Sequence, residues 1–241
     1  MLAAMVKLSV NVNKVALLRN ARGGNRPDLI QVARDCVRLG ADGITVHPRP
    51  DQRHIRPADA IALKAALEVE LNIEGYPSEP YLQLIEQVRP AQATLVPDPP
   101  QALTSNAGWD TLAQRALLEP VLAQLRGWGV RSSLFIECDR ARIEAARAAG
   151  ADRVELYTGP YAHDYVNERE FAVAPYRQAA EWAHAAGLGV NAGHDLDRDN
   201  LAWFCREVPH LQEVSIGHAL WSDALYLGLE RTLAEYRRAL S

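Results

Sequence analysis

Several short β-branched runs in this chain end on residues able to move protons or hold anions. In GITVHPRPDQRHI, His47 closes such a run, and Arg49, Arg53 and His54 follow in the next loop. An imidazole titrating near neutrality suits general acid–base work, and guanidinium forks suit phosphate or carboxylate. The competing readings are a structural strand-end histidine and a solvated basic loop. Glu74 closes LNIEG and Glu155 lies in VELYTG. A carboxylate at an inward strand position is costly unless it is paired or working, so both proton transfer and pairing with an arginine stay open. In VNAGHDLDRDN, Gly193 lets the chain turn before His194, and Asp195, Asp197 and Asp199 stand ready to cap a helix. In EVSIGHAL, Gly217 and His218 open a helix whose bare N–H groups favour an anion. NVNKVALLRNARGGNRP follows Asn11 and Asn13 with Lys14, Arg19, Arg22 and Arg26. It reads as a second anion-binding segment or as an exposed basic loop.

His47, His54, His194 and His218 all fall near strand ends. A zinc site is the alternative use for them, but no HxH or HExxH spacing is present and the neighbouring arginines oppose a dication. The expectation is no metal and no organic cofactor. Cys36, Cys138 and Cys205 are odd in number and widely spaced, which fits reduced thiols and a cytoplasmic location. The net charge of −4 gives no general attraction to nucleic acid or to an anionic membrane. No apolar run approaches the roughly 20 residues that span a bilayer, and MLAAMVKLSVNV reads as a strand rather than a leader.

The elements that must carry these residues alternate strictly. Strands are expected near Leu8–Asn13, Gly43–His47, Leu71–Glu74, Ala93–Val96, Ser132–Glu137, Arg153–Tyr157, Gly189–Asn191 and Glu213–Ile216. Helices are expected near Pro27–Leu39, Pro57–Leu67, Glu79–Val88, Trp109–Trp128, Arg140–Ala149, Tyr176–Ala186, Asp199–Glu207 and Ala219–Ala239. Eight βα units imply parallel strands and favour a closed (β/α)8 TIM barrel, one domain over 1–241; a doubly wound open sheet is the alternative. Pro97–Gly108 and Thr158–Glu170 lack periodicity and read as long loops on the face where barrel active sites lie.

Alternation within the strands says more. One parity is apolar, as in Val10 and Val12, Ile44 and Val46, or Leu71 and Ile73. The other is polar: Ser9, Asn11 and Asn13; Thr45 and His47; Asn72 and Glu74; Ser133 and Glu137; Glu155; Asn191; Ser215. Barrel interiors are commonly filled with branched apolar side chains. Here amides, hydroxyls and carboxylates are expected inside, as a ligand site or as a self-satisfied network without chemistry.

VNVNKVALLRNARG, GADGITVHPRPDQRHI, LNIEG, VELYTGPYA, VNAGHDL and IGHAL occur in this order over most of the chain. The ordered set resembles the pyridoxine 5′-phosphate synthase family of deoxyxylulose-phosphate-dependent vitamin B6 synthesis. The resemblance implies a (β/α)8 barrel assembled as a homo-octamer. It also implies condensation of 1-deoxy-D-xylulose 5-phosphate with 3-amino-2-oxopropyl phosphate, yielding pyridoxine 5′-phosphate, phosphate and water. Carried residue by residue, it implies acid–base roles for His47 and Glu74, proton donation by His194 and transition-state support by Glu155. Asn11 and Arg22 match contacts to the amino-ketone phosphate. Arg49, His54 and Thr104 match contacts to the deoxyxylulose phosphate, and Gly217 with His218 matches a phosphate-binding turn.

Two departures from the family pattern stand out. Many members carry Asp-His where this chain has Asn13 and Lys14, and glycine where it has Asp195. Both sites are expected to touch substrate, Lys14 as a point charge and Asp195 as a negative charge near a phosphate. Other readings are a different phosphosugar-processing barrel enzyme and a catalytically silent phosphate-metabolite sensor.

Overall fold

The computed structural model describes residues 5–98 and 105–241. Eight parallel strands close into a barrel in sequence order: β1 (Lys7–Asn11), β2 (Gly43–Val46), β3 (Glu70–Gly75), β4 (Gln92–Leu95), β5 (Arg131–Ile136), β6 (Arg153–Tyr157), β7 (Gly189–Gly193) and β8 (Leu211–Ile216). The intervening helices are α1 (Asn13–Asn20), α2 (Leu29–Arg38), α3 (Pro57–Ala66), α4 (Glu79–Val88), α5 (Arg115–Gly127), α6 (Arg140–Ala149), α7 (Gly159–Ala185), α8 (Leu201–Glu207), α9 (His218–Leu227) and α10 (Leu229–Ala239). The closed barrel replaces the open-sheet alternative. Local sequence explains several helix boundaries. Asp28 and Asp139 accept backbone N–H bonds in the first turns of α2 and α6, and Pro57 starts α3. Gly40, Gly129, Gly150 and Gly187 take positive φ at helix ends.

The apolar parity packs outward under the helices. Leu8, Val10, Ile44, Val46, Ile73, Leu134, Val154 and Leu156 are buried in this core. The other parity fills the interior with a hydrogen-bonded chain. The Ser9 and Thr45 hydroxyls meet at 2.7 Å. Asn72 Nδ2 donates to Thr45 at 3.3 Å, while its Oδ1 accepts from Thr94 at 3.0 Å. Gln92 donates to Thr94 at 3.4 Å and accepts from Arg131 at 3.0 Å. Arg153 reaches Asn191 at 3.1 Å, and Asn191 reaches Glu213 at 3.4 Å. Every strand contributes a polar group. The Ser133 hydroxyl alone among these interior groups is buried without a partner.

Four elements differ from the sequence expectation. The supposed loop after β1 contains α1, which buries Val15, Ala16 and Arg19. Arg19 grips Asp59 with two bonds at 2.7 and 2.8 Å, so it ties α1 to α3 and is no anion-binding candidate. Thr158–Glu170 is helical from Gly159, with non-helical backbone at Glu168. Only Tyr161 buries fully in its first turns, so no apolar period marks it. Helix α5 starts at Arg115 instead of Trp109; the Trp109 indole is buried in the connection and donates to the Leu95 carbonyl at 2.8 Å. The expected Ala219–Ala239 helix is two helices, broken where Gly228 takes φ +77°.

Arg19→Ala leaves Asp59 without its main partner in a mostly buried setting. The expected cost is about 3 kcal/mol of unfolding free energy, to be measured by urea denaturation; an unchanged midpoint contradicts the structural role.

Candidate active site

The C-terminal mouth of the barrel opens into a cavity of about 480 Å³. Twelve sequence-predicted residues line it: Asn11, Asn13 and Lys14 from β1 and α1; His47, Arg49 and His54 after β2; Glu74 on β3; Glu155 on β6; His194 and Asp195 after β7; Gly217 and His218 after β8. Arg22 is exposed and forms no part of this wall in the single chain. Thr104 lies outside the described residues. Among the described residues, no three His, Cys, Asp or Glu side chains are grouped to hold a metal ion.

The acid–base residues fall into facing sets. In an eight-strand ring, β2 faces β6 and β3 faces β7, so His47 stands across from Glu155 and Glu74 across from His194. His47 Nδ1 and Glu74 Oε2 are 3.6 Å apart, near enough to exchange a proton after a small adjustment. The His47 backbone N–H donates to Asn13 Oδ1 at 2.9 Å, and the Asn13 N–H donates to Asn11 Oδ1 at 3.0 Å. Asn13 therefore fixes the end of β2 as well as lining the cavity.

Glu155 is buried, and burial pushes its carboxyl well above the usual carboxylate range. The facing Glu74 and Glu213 carboxylates push it further the same way. The environment thus favours the neutral acid, the form able to donate a hydrogen bond or a proton. Gly193 makes room for it, because a Cβ there would collide with Glu155 Oε1.

Arg49, Lys14 and a neutral imidazole gather on the β2 side. His54 is pushed down to about 3, first by burial and then by His47, Arg49, Arg53 and Lys14. Its Nδ1 accepts the Ile55 N–H at 2.9 Å, which places the proton of the neutral ring on Nε2 as a donor. Arg49 is held by Asp98 at 2.8 Å, and the same carboxylate oxygen accepts from Ser105 at 2.6 Å. On the far wall, Gly217 begins α9 close against Asn11, where a Cβ would sit 3.1 Å from the Asn11 Cβ. The Trp221 indole donates to the Asn11 carbonyl at 2.7 Å; Tyr226 is 91% exposed.

Sequence reasoning missed Phe135, Ser105 and Asp98. Phe135 lines the cavity at an inward position of β5, but it is apolar on a parity recognised by its polar residues. Asp98 reaches Arg49 across a long sequence separation and Ser105 bonds Asp98 in turn, and only their position within a non-periodic stretch signalled them.

The depressed His54 predicts a pH effect. Between about 6.5 and 3 the unfolded chain binds a proton that the native ring refuses. Stability is therefore full above 6.5 and declines as pH falls toward 3. His54→Gln is expected to flatten this slope by up to about one proton, read from urea midpoints across that range; an equal slope in both proteins contradicts the assignment.

Residues 8–241 match the family described as pyridoxal phosphate biosynthesis protein PdxJ. A pyridoxine 5′-phosphate synthase of Porphyromonas gingivalis is 56% identical over 237 residues, covering 98% of this chain and 100% of that protein. One from Bacteroides thetaiotaomicron is 57% identical over 236 residues, with 98% and 100% covered. Solved structures share the fold at low identity. A 3-keto-L-gulonate-6-phosphate decarboxylase from Vibrio cholerae aligns with TM-score 0.67 at 11% identity, covering 98% of both chains.

Proposed function

The chain belongs to the PdxJ family of pyridoxal phosphate biosynthesis proteins and acts as a pyridoxine 5′-phosphate synthase, and from that premise we propose how its cavity performs the reaction. The substrates in this reading are 1-deoxy-D-xylulose 5-phosphate and 3-amino-2-oxopropyl phosphate. The observation that carries it is the His47–Glu74 pair sharing one cavity with buried Glu155 and a set of cationic side chains.

Joining the two substrates requires amine addition to a ketone, loss of water, loss of phosphate and ring closure. Each step moves protons. Glu74 and His47 trade donor and acceptor roles as the amine attacks and the carbinol forms. Glu155, whose burial favours the protonated form, supports negative charge developing on substrate oxygen. His194 gives the proton that lets a hydroxyl depart as water. Arg49, His54 and Lys14 hold the phosphate of the deoxyxylulose substrate. Gly217 and His218, at the start of α9, offer backbone and ring N–H groups to the second phosphate beside Asn11. Contacts from Arg22 and Thr104 rest on the family resemblance alone.

The same reading includes a cytoplasmic location and homo-octameric assembly. The location is supported by three unpaired cysteines. Among the described residues, no helix is long and apolar enough to cross a membrane. The assembly is supported by Leu225 and Tyr226, which are 82% and 91% exposed on α9.

The test is to mix the purified protein with both substrates and follow phosphate release together with pyridoxine phosphate. His47→Asn and Glu74→Gln are each expected to lower kcat by about 10²–10⁴-fold with far-UV circular dichroism unchanged. Glu155→Gln, which keeps a neutral donor, is expected to retain far more activity than Glu155→Leu. Binding of both ligands without product favours a sensor and ends the synthase mechanism. Near-normal turnover in either of the first two variants removes that residue from it.

A further inference from the structure

The carboxylate–imidazole pair that the family pattern puts after β1 is missing here, because Asn13 and Lys14 occupy those positions. Such a pair stands instead after β7. His194 Nδ1 lies 2.8 Å from Asp195 Oδ2. The backbone that carries this pair is sharply bent. His194 takes φ +85° and Asp195 φ +56°, both in the left-handed region that non-glycine residues avoid.

The bend is fastened from two other elements. The Thr158 hydroxyl donates to the Gly193 carbonyl at 2.6 Å and also to the His194 carbonyl. Asn200 Nδ2 donates to the Asp195 carbonyl at 3.2 Å. The Tyr157 ring packs edge-on against the imidazole, with centroids 5.4 Å apart. Asp195 is held below the usual carboxylate range, chiefly by its bond to His194, so it carries a charge at neutral pH.

We propose that Asp195 is a positioning residue for His194: it accepts the Nδ1–H, fixes the ring's tautomer and sustains the protonated ring that donates to substrate. This rests on the reading of His194 as proton donor. In that step the Nε2–H bond breaks as a substrate hydroxyl gains the proton and leaves as water. The ring remains neutral, with its Nδ1–H still on Asp195. Among the described residues, Tyr157 and Glu155 on β6, His218 on α9 and Lys14 on α1 share the surroundings of the ring. The Lys14 ammonium in the same cavity disfavours a charged imidazole, and the Asp195 carboxylate in contact with the ring offsets it.

The experiment compares wild type with Asp195→Asn, Asp195→Gly and Asp195→Glu. Asparagine and glycine both tolerate the left-handed backbone, so the fold is kept. Kinetics are measured with both substrates across pH, and the His194 imidazole is titrated by NMR, its signal assigned by loss in His194→Gln. Asn and Gly are expected to lower kcat about tenfold or more while leaving both KM values within about threefold. The alkaline limb of kcat and the NMR midpoint both move down by about one pH unit, and Glu restores part of each. A wild-type kcat and alkaline limb in Asp195→Gly, or a loss confined to KM, overturns the proposal. If the wild type makes no product, the reaction assignment fails by itself. The NMR midpoint then decides: a fall in Asp195→Asn upholds the pairing, and no change overturns it.

Discussion

The constraint on which this barrel depends is that its polar interior must satisfy itself. Buried amides and hydroxyls lose their hydration and are tolerated only when every strand hands a hydrogen bond to another. Ser9, Thr45, Asn72, Thr94, Gln92, Arg153, Asn191 and Glu213 make that chain around the ring. Since these groups occupy one another, the unspent acid–base capacity is concentrated one layer higher, at His47, Glu74, Glu155 and His194. The site is thus the top layer of a network whose lower layers are structural.

That layering also sets protonation. Glu155 lies between Glu74 at the mouth and Glu213 deeper inside, and both repel its negative form. Burial alone raises a carboxyl; two facing carboxylates make the effect directional, because the proton Glu155 keeps relieves repulsion from above and below. Gly193 belongs to the same device, since any side chain there would claim the space of the acid.

The barrel and the inward residues were legible in the sequence for one reason. Strands of buried parallel sheets commonly read as unbroken apolar runs, whereas a polar interior restores alternation and discloses which face each residue takes. His47, Glu74 and Glu155 could be placed from parity alone, and His194 from its place past the strand end after Gly193. Legibility ended where burial is partial or partners are remote. Helix α1 and the start of α7 bury too few apolar residues to show a period. Arg19 looked like one more loop cation until α3 supplied Asp59. Asp195 looked like a charge aimed at substrate, because no composition signal announces its contact with the adjacent His194 or the left-handed backbone of both residues. The family resemblance located most of the cavity wall, but Arg22 does not reach it within one chain.

A lumen of amides and carboxylates also shapes how the fold responds to temperature. Exposing apolar surface raises the heat capacity of unfolding, whereas exposing polar surface lowers it. When this barrel opens, the Ser9-to-Glu213 chain becomes hydrated along with the aliphatic layer beneath the helices. The two contributions have opposite signs. Relative to a barrel of equal size packed with valine and leucine, the stability curve is correspondingly flatter, and the fold keeps more of its maximum stability on either side of its optimum.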